Sequence, residues 1–301
     1  MTLMRLRIDD YKNALHEVVC PEDEVVVLYS ALWGFGHRFG MRPAALVDAL
    51  IEATLETLGP ACTLLMPAFF ADFPRTRRFD LALSKPYTGA LPDRFHTWPG
   101  ALRTRQPMDS YAAHGPLAAE VMARPCTTAW GDDSVLGWFD AVNARHVILG
   151  VPWHLSCAYC HRGEEVVGVP FRYHKRFVGT LLEDGTELGP CEETMYVRPF
   201  DVDPGLYYKP IRDRLGELNL VLESAQPDFQ LQSSLSSDIL LASIELLDRD
   251  PLAFVENKAA VTDWIANGRD IELVRLAPDQ RPPFAQRPIR PTARQAVISK
   301  E

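Results

Sequence analysis

The sequence predicts an α/β fold: a layered α/β/α domain whose mixed β-sheet includes a C-terminal antiparallel hairpin. Three observations predict it. VVVLYS, ending at Ser30, and HVILGVP, from His146, are continuous apolar runs rich in β-branched residues, as strands buried on both faces are. Segments with helical period stand between such runs, so strand and helix alternate. Beyond Phe171 the composition changes to that of a hairpin around Asp184 and Gly185.

In chain order, a first helix is expected over residues 9–18, followed by the strand that ends at Ser30. The loop ALWGFGHRFGMR then carries Gly34, Gly36 and Gly40, and Pro43 opens the helix PAALVDALIEATLETL, which Gly59 stops. CTLLMPAFF reads as the next strand. The long stretch from Asp72 to Thr104 has no clean period and is dense in Pro, aromatic and basic residues, a mark of functional segments inside compact domains. GPLAAEVMA and SVLGWFDAV read as helices, and HVILGVP as the strand after them. The hairpin FRYHKRFVGTLLEDGTELG is expected to extend the sheet antiparallel, with TMYVRPF as one more strand. Two late helices, SDILLASIELLDR and PLAFVENKAAVTDWIANG, complete a single domain over residues 1–278. Residues 279–301 read as a Pro/Arg-rich tail.

The chain has 301 residues, 47% of them hydrophobic, enough for a large core. No apolar run is long enough to span a bilayer. MTLMRLRIDDYKN breaks its apolar residues with charges, unlike a secretory leader, so a cytoplasmic location is expected. Six cysteines at scattered positions do not make a disulfide framework. A net charge of -9 argues against a nucleic-acid groove and suits a cationic small molecule.

HLSCAYCHRGEE, residues 154–165, carries two overlapping signals. Cys157, Cys160 and His161 spell C-x-x-C-H, the attachment signature of c-type haem, but that attachment belongs to oxidising compartments. A zinc site on the same residues lacks the second ligand pair that a closed site needs, so no metal is expected and the two cysteines read as small buried hydrophobes. His161 and Glu164, three apart, share a face if the segment is helical. There Glu164 can fix the tautomer of the imidazole and stabilise its charged form. The glycine loop sits between a strand and a helix, a place where an anion such as phosphate binds well. Its spacing fits neither G-x-G-x-x-G nor the Walker loop.

Taken in order, VVVLYSALWGFGHRFG, CTLLMPAFFAD, LRTRQPMDSYAAHGPLA, VILGVP, the H-x-x-E of His161 and Glu164, FRYHKRF and LLDRDPLAFV resemble the aminoglycoside 3-N-acetyltransferases. The resemblance runs over about residues 20–265 and implies transfer of acetyl from acetyl-CoA to a primary amine, on a fold unrelated to the GNAT enzymes. It implies that Ser30, Gly36, Gly40, Arg103 and Ser110 line the pantetheine and pyrophosphate of acetyl-CoA. His161 falls on the active-site histidine, Glu164 on its partner carboxylate, and Asp72 on an acidic position facing the acceptor amine. Ala31, Met41, Gln106, Tyr111 and His114 depart from the family pattern.

A protonated amine cannot attack a thioester until a base removes a proton, a task that suits a histidine. The partners implied are acetyl-CoA and a small-molecule amine, with neither nucleic acid nor membrane, and a homodimer is left open. An aminoglycoside and a siderophore-type ornithine stand as alternative acceptors. Cys160 as an acyl-accepting nucleophile, a metalloprotein, and a binding module without turnover are the competing readings.

Overall fold

The computed structural model describes residues 5–199 and 201–267. The chain enters through α1 (Ile8–His16) and reaches β1 (Val25–Ser30). A loop with a 3-10 turn at Gly36–Phe39 leads into α2 (Pro43–Leu58). Pro43 occupies the first turn, where its missing N–H has no helical partner to lose, and Gly59, with φ of 75°, ends the helix. β2 (Thr63–Pro67) follows. The irregular stretch contains α3 (Phe73–Thr76), β3 (Arg78–Asp80) and α4 (Ala90–Phe95), then returns to the sheet as β4 (Leu102–Arg103) and β5 (Tyr111–His114). α5 (Ala118–Met122) and α6 (Val135–Val142) lead to β6 (Arg145–Leu149) and α7 (Cys160–Val167). The hairpin β7 (Tyr173–Glu183) and β8 (Thr186–Val197) comes next. The described chain closes with α8 (Lys209–Glu217), β9 (Leu222–Glu223), β10 (Gln232–Leu235), α9 (Ser236–Arg249) and α10 (Lys258–Ala266).

Seven strands form the main sheet in the order β4-β5-β2-β1-β6-β10-β9. β2, β1 and β6 are parallel, and both flanks are antiparallel. Side chains of the central strands alternate between two cores. Val25, Val27, Tyr29, Leu65 and Ile148 pack with α6, α7 and α9, whereas Val26, Leu28, Leu64, Met66, Val147 and Leu149 pack with α1 and α2. Both faces are covered, so the strand sequence is apolar throughout rather than alternating. Each buried aliphatic side chain contributes about 1.5–3 kcal/mol, and a one-residue slip of β1 would exchange its two sets between layers.

The hairpin corrects the expectation from sequence. It does not extend the main sheet; β7 and β8 pair with each other and with β3 in a separate sheet of order β3-β7-β8. Asp184 and Gly185, with φ of 48° and 79°, make the tight turn, and Asp80 at the end of β3 accepts from Gly185 N–H at 2.7 Å. TMYV, the first four residues of TMYVRPF, is likewise not an added strand but the end of β8. No helix among the described residues is long and apolar enough to cross a membrane. The expected boundary at residue 278 and the tail over 279–301 lie outside the described residues.

Candidate active site

β1 and β6 lie side by side, with Ser30 opposite Leu149. The loops that leave them go to opposite faces, toward α2 on one side and α7 on the other. Such a reversal opens a crevice beyond the carboxyl ends of parallel strands. Gly150 allows the close approach there, with φ of 73°; a Cβ on it would stand 2.2 Å from the carbonyl oxygen of Ala31.

α7 brings His161 and Glu164 to this end. Its apolar side carries Cys160, which with Cys157 is buried in the core. Gly163 lets the helix rest on α9: a Cβ there would come within 2.4 Å of Ser243 Cβ. Arg162 donates to Asp140 Oδ2 and to the Trp130 carbonyl, each at 2.9 Å, and also bonds Asp132. This clamp brings Trp130 over α7, where its indole stacks on the His161 ring at 4.4 Å between centroids.

Three groups meet around one carboxylate oxygen. Glu164 Oε2 lies 3.1 Å from His161 Nδ1, 2.9 Å from Tyr208 Oη and 2.9 Å from Arg172 Nη2. Tyr208 Oη is also 2.8 Å from His161 Nδ1. Glu164 Oε2 accepts from both when Nδ1–H and the Tyr208 hydroxyl are the donors, an assignment made from the network, while Glu164 Oε1 and Arg172 Nε are buried without a hydrogen-bond partner among the described residues. Nε2, on the other edge of the ring, is then the basic atom, and the His161 side chain keeps 25% of its exposure while Glu164 keeps none.

Burial works to raise the pKa of Glu164, yet Arg172, His161 and Tyr208 outweigh it and hold the carboxyl below its ordinary value. Burial lowers that of His161, aided by the positive charges of Arg172 and Arg198 and opposed by Glu164. The ring is therefore neutral at neutral pH, the state a base needs.

The remaining candidates fall elsewhere. Ser30 is half-buried at the end of β1. Gly36 starts the 3-10 turn and Gly40 ends it with φ of 63°, while a Cβ at the nearby Gly34 would meet nothing within 4 Å. Arg103 and Ser110, expected to contact acetyl-CoA, are buried and hydrogen-bonded within the chain. Arg103 donates to Leu81, Ser84 and Ala68 carbonyls at 3.2, 2.5 and 2.5 Å and to Ser110 Oγ at 3.1 Å. Ser110 Oγ donates to Ala68 at 2.6 Å. Together they pin the irregular stretch to the sheet. Asp72 stands at the head of α3 with 58% of its side chain exposed and pairs with Arg75 at 3.1 Å, apart from the His161 network.

Sequence reasoning gave no role to Arg172, Tyr208 or Trp130. Arg172 lies inside FRYHKRF and was visible as part of the resemblance, but nothing local marks it as the cation of Glu164. No metal-binding group of three or more His, Cys, Asp or Glu side chains occurs among the described residues.

Residues 30–216 match the family model described as Aminoglycoside 3-N-acetyltransferase. Aminoglycoside N(3)-acetyltransferase IX of Micromonospora chalcea is 29% identical over 56% of this chain and 63% of its own length. Aminoglycoside N(3)-acetyltransferase VII of Streptomyces paromomycinus is 28% identical over 52% and 58%. The chain thus spans less than two thirds of both these relatives. The apoenzyme structure of aminoglycoside acetyltransferase AAC(3)-IVa superposes with a TM-score of 0.67 over 86% of this chain and 95% of that one, at 23% identity. AAC-IIIb in its binary complex with CoASH superposes at 0.66 over 81% and 97%, at 19% identity. These two share the fold. With the family model matching more than half of its residues, the chain belongs to the aminoglycoside 3-N-acetyltransferase family.

Proposed function

We propose that the protein acetylates a primary amine of an aminoglycoside or a related natural-product amine, with acetyl-CoA as co-substrate and His161 as general base. The observation that carries this is the hydrogen bond from His161 Nδ1 to a buried, charged Glu164, which leaves Nε2 as the basic nitrogen of a side chain that keeps 25% of its exposure. The relatives' names support the acceptor class, and the CoASH complex of AAC-IIIb supports the donor.

The residues at the carboxyl ends of β1 and β6 fit a phosphorylated thioester donor. Ser30, the loop from Gly34 through Gly36 to Gly40 and the first turn of the 16-residue α2 offer a hydroxyl, close backbone approach and a positive helix end. Nε2 of His161 accepts a proton as the amine nitrogen bonds to the thioester carbonyl carbon. The C–S bond breaks, and the proton passes to the leaving thiolate. Glu164 and Arg172 keep the ring aimed and stabilise its charged form. Asp72, exposed at the head of α3, adds to the negative field that draws a cationic acceptor. Such chemistry takes place in the cytoplasm, where acetyl-CoA is made available.

The test is thiol release from acetyl-CoA with a panel of aminoglycosides, simple diamines and N-hydroxyornithine. The wild type is expected to release thiol with at least one of them, and His161→Ala to lose about 10²–10⁴ in kcat, the usual worth of a general base. No release with any amine, or a His161→Ala protein as active as the wild type, refutes the assignment and favours a binding module.

A further inference from the structure

Trp130, in the loop before α6, is 6% exposed and tied down at three points. Its indole N–H donates to Asp109 Oδ2 at 2.9 Å, its carbonyl accepts from Arg162 Nη1 at 2.9 Å, and the N–H of the adjacent Ala129 donates to the Thr194 carbonyl of β8 at 2.9 Å. Fixed in this way, the indole meets two groups of the active site. The His161 ring lies on it at 4.4 Å between centroids with 18° between the planes, and the Arg172 guanidinium carbon lies 5.0 Å from its centroid.

At rest the buried charges balance: Glu164 carries one negative charge and Arg172 one positive charge, 2.9 Å apart. Once His161 takes a proton, two cations share one anion. Arg172 Nη2 stands 3.4 Å from His161 Nδ1, so the new charge forms beside a like charge. The other groups that face the ring bring no anion. Cys160, on the same helix, and Tyr208, from the turn before α8, are buried and pushed well above their ordinary values, hence neutral, and Arg198 after β8 is a further cation. Asp109 stands at the N–H edge of the indole, and Glu193 on β8 is bound to Gln106 and Met108. What lies flat against the imidazole is the face of an aromatic ring, whose negative potential attracts a cation, most strongly where water is excluded.

We infer that Trp130 is a positioning residue for the reaction: its indole face holds the His161 ring where Nδ1 meets Glu164 and stabilises the imidazolium that forms when Nε2 takes the proton of the attacking amine. The consequence for turnover rests on the acetyl-transfer reading, whereas the stabilisation itself is measurable without substrate. Asp109 acts one step further out, fixing the tilt of the indole through its N–H.

The test follows the titration of His161 in the full chain by NMR of labelled histidine, its signal assigned by its absence from His161→Ala. Trp130→Leu fills the space without a π-face, and Trp130→Phe keeps a smaller face without the N–H anchor. Fluorinated tryptophans at position 130 keep the shape and the N–H while drawing electrons from the face. The His161 midpoint is expected to fall stepwise with each added fluorine and by about one pH unit in Trp130→Leu, with Trp130→Phe between wild type and Trp130→Leu. In the thiol-release assay with acetyl-CoA and sisomicin, the acid limb of kcat is expected to move down with the midpoint, and kcat at pH 7 to fall roughly tenfold in Trp130→Leu while the KM for acetyl-CoA stays as in wild type. A residue that only fills space would leave the fluorinated proteins at the wild-type midpoint. Equal midpoints across the fluorine series overturn the inference, and because that series keeps the side chain's shape, a misfolded Trp130→Leu does not rescue it. Stepwise midpoints with no thiol release from wild type support the stabilisation and refute acetyl transfer. Thiol release that requires His161, with midpoints indifferent to fluorine, leaves acetyl transfer standing and removes Trp130 from it.

Discussion

Glu164 on α7 and Glu193 on β8 are both fully buried, yet their protons behave in opposite ways. Glu164 is held ionised, below the ordinary carboxyl range, whereas Glu193 is pushed up to about 8. Desolvation is the largest influence on each and acts in the same direction. The difference lies in the neighbours. Glu164 meets the Arg172 guanidinium at 2.9 Å, while Glu193 meets an amide, a backbone N–H and the negative potential of Asp109. One buried cation thus decides which side of Trp130 holds a charged carboxylate and which side stores a proton.

The sharpest way to break this contrast is to remove the cation. Arg172→Met leaves Glu164 buried with only His161 and Tyr208 beside it, an environment much closer to that of Glu193. Losing one partner of a buried ion pair costs about 3–5 kcal/mol, so urea unfolding at pH 7 is expected to show a loss of that size. The depressed Glu164 supplies stability above the ordinary carboxyl range that disappears as pH falls through its folded-state value; Arg172→Met is expected to lose that contribution. Turnover is expected to fall at least a hundredfold in the thiol-release assay, because a protonated Glu164 no longer stabilises the imidazolium.

What could be read from the sequence follows the range of the interactions involved. The parallel strands announced themselves because burial on both faces leaves an unbroken apolar run, and α2 carries its own stop and start signals in Pro43 and Gly59. His161 and Glu164 were legible because their contact is local, three residues along one helix. Tyr208 reaches His161 across 47 positions of sequence, and Arg172 finds Glu164 only because β7 begins beside α7, so neither leaves a local pattern. Arg103 shows the converse. A basic residue in a motif reads as a phosphate ligand, and nothing in the sequence shows the carbonyl partners it also meets in the fold. The hairpin was legible from Asp184 and Gly185, but the strand it would join was not, since β3 is three residues inside an aperiodic stretch.

A second test acts on the other carboxyl. Glu193 has a raised folded-state pKa, so its stabilising contribution is present at low pH and is lost as pH rises through about 8. Unfolding free energy is expected to decline between pH 5 and 8 by up to about 1.4 kcal/mol per pH unit for such a group. Glu193→Gln, which keeps the shape without the ionisation, is expected to flatten that slope in denaturant titrations across the range. An unchanged slope would mean that Glu193 is already ionised in the folded protein, and the contrast with Glu164 would fail.

The smallest change separates charge from hydrogen bonding. Tyr208 donates to the same oxygen of Glu164 as Arg172 does, at 2.9 Å, and its ring packs on Phe254 and edge-on to His161. Tyr208→Phe keeps the ring contacts and removes the hydroxyl alone. A neutral hydrogen bond of this kind contributes about 0.5–1.5 kcal/mol net, so unfolding experiments are expected to show a loss within that range and turnover a fall of less than about tenfold. Arg172 still neutralises Glu164 in this variant, so the acid limb of kcat, which reports the lowered His161, is expected to stay below the ordinary imidazole range. If Tyr208→Phe proves as damaging as Arg172→Met, the number of donors and not the nearby positive charge keeps Glu164 ionised. The difference from Glu193 would then be one of hydrogen-bond count.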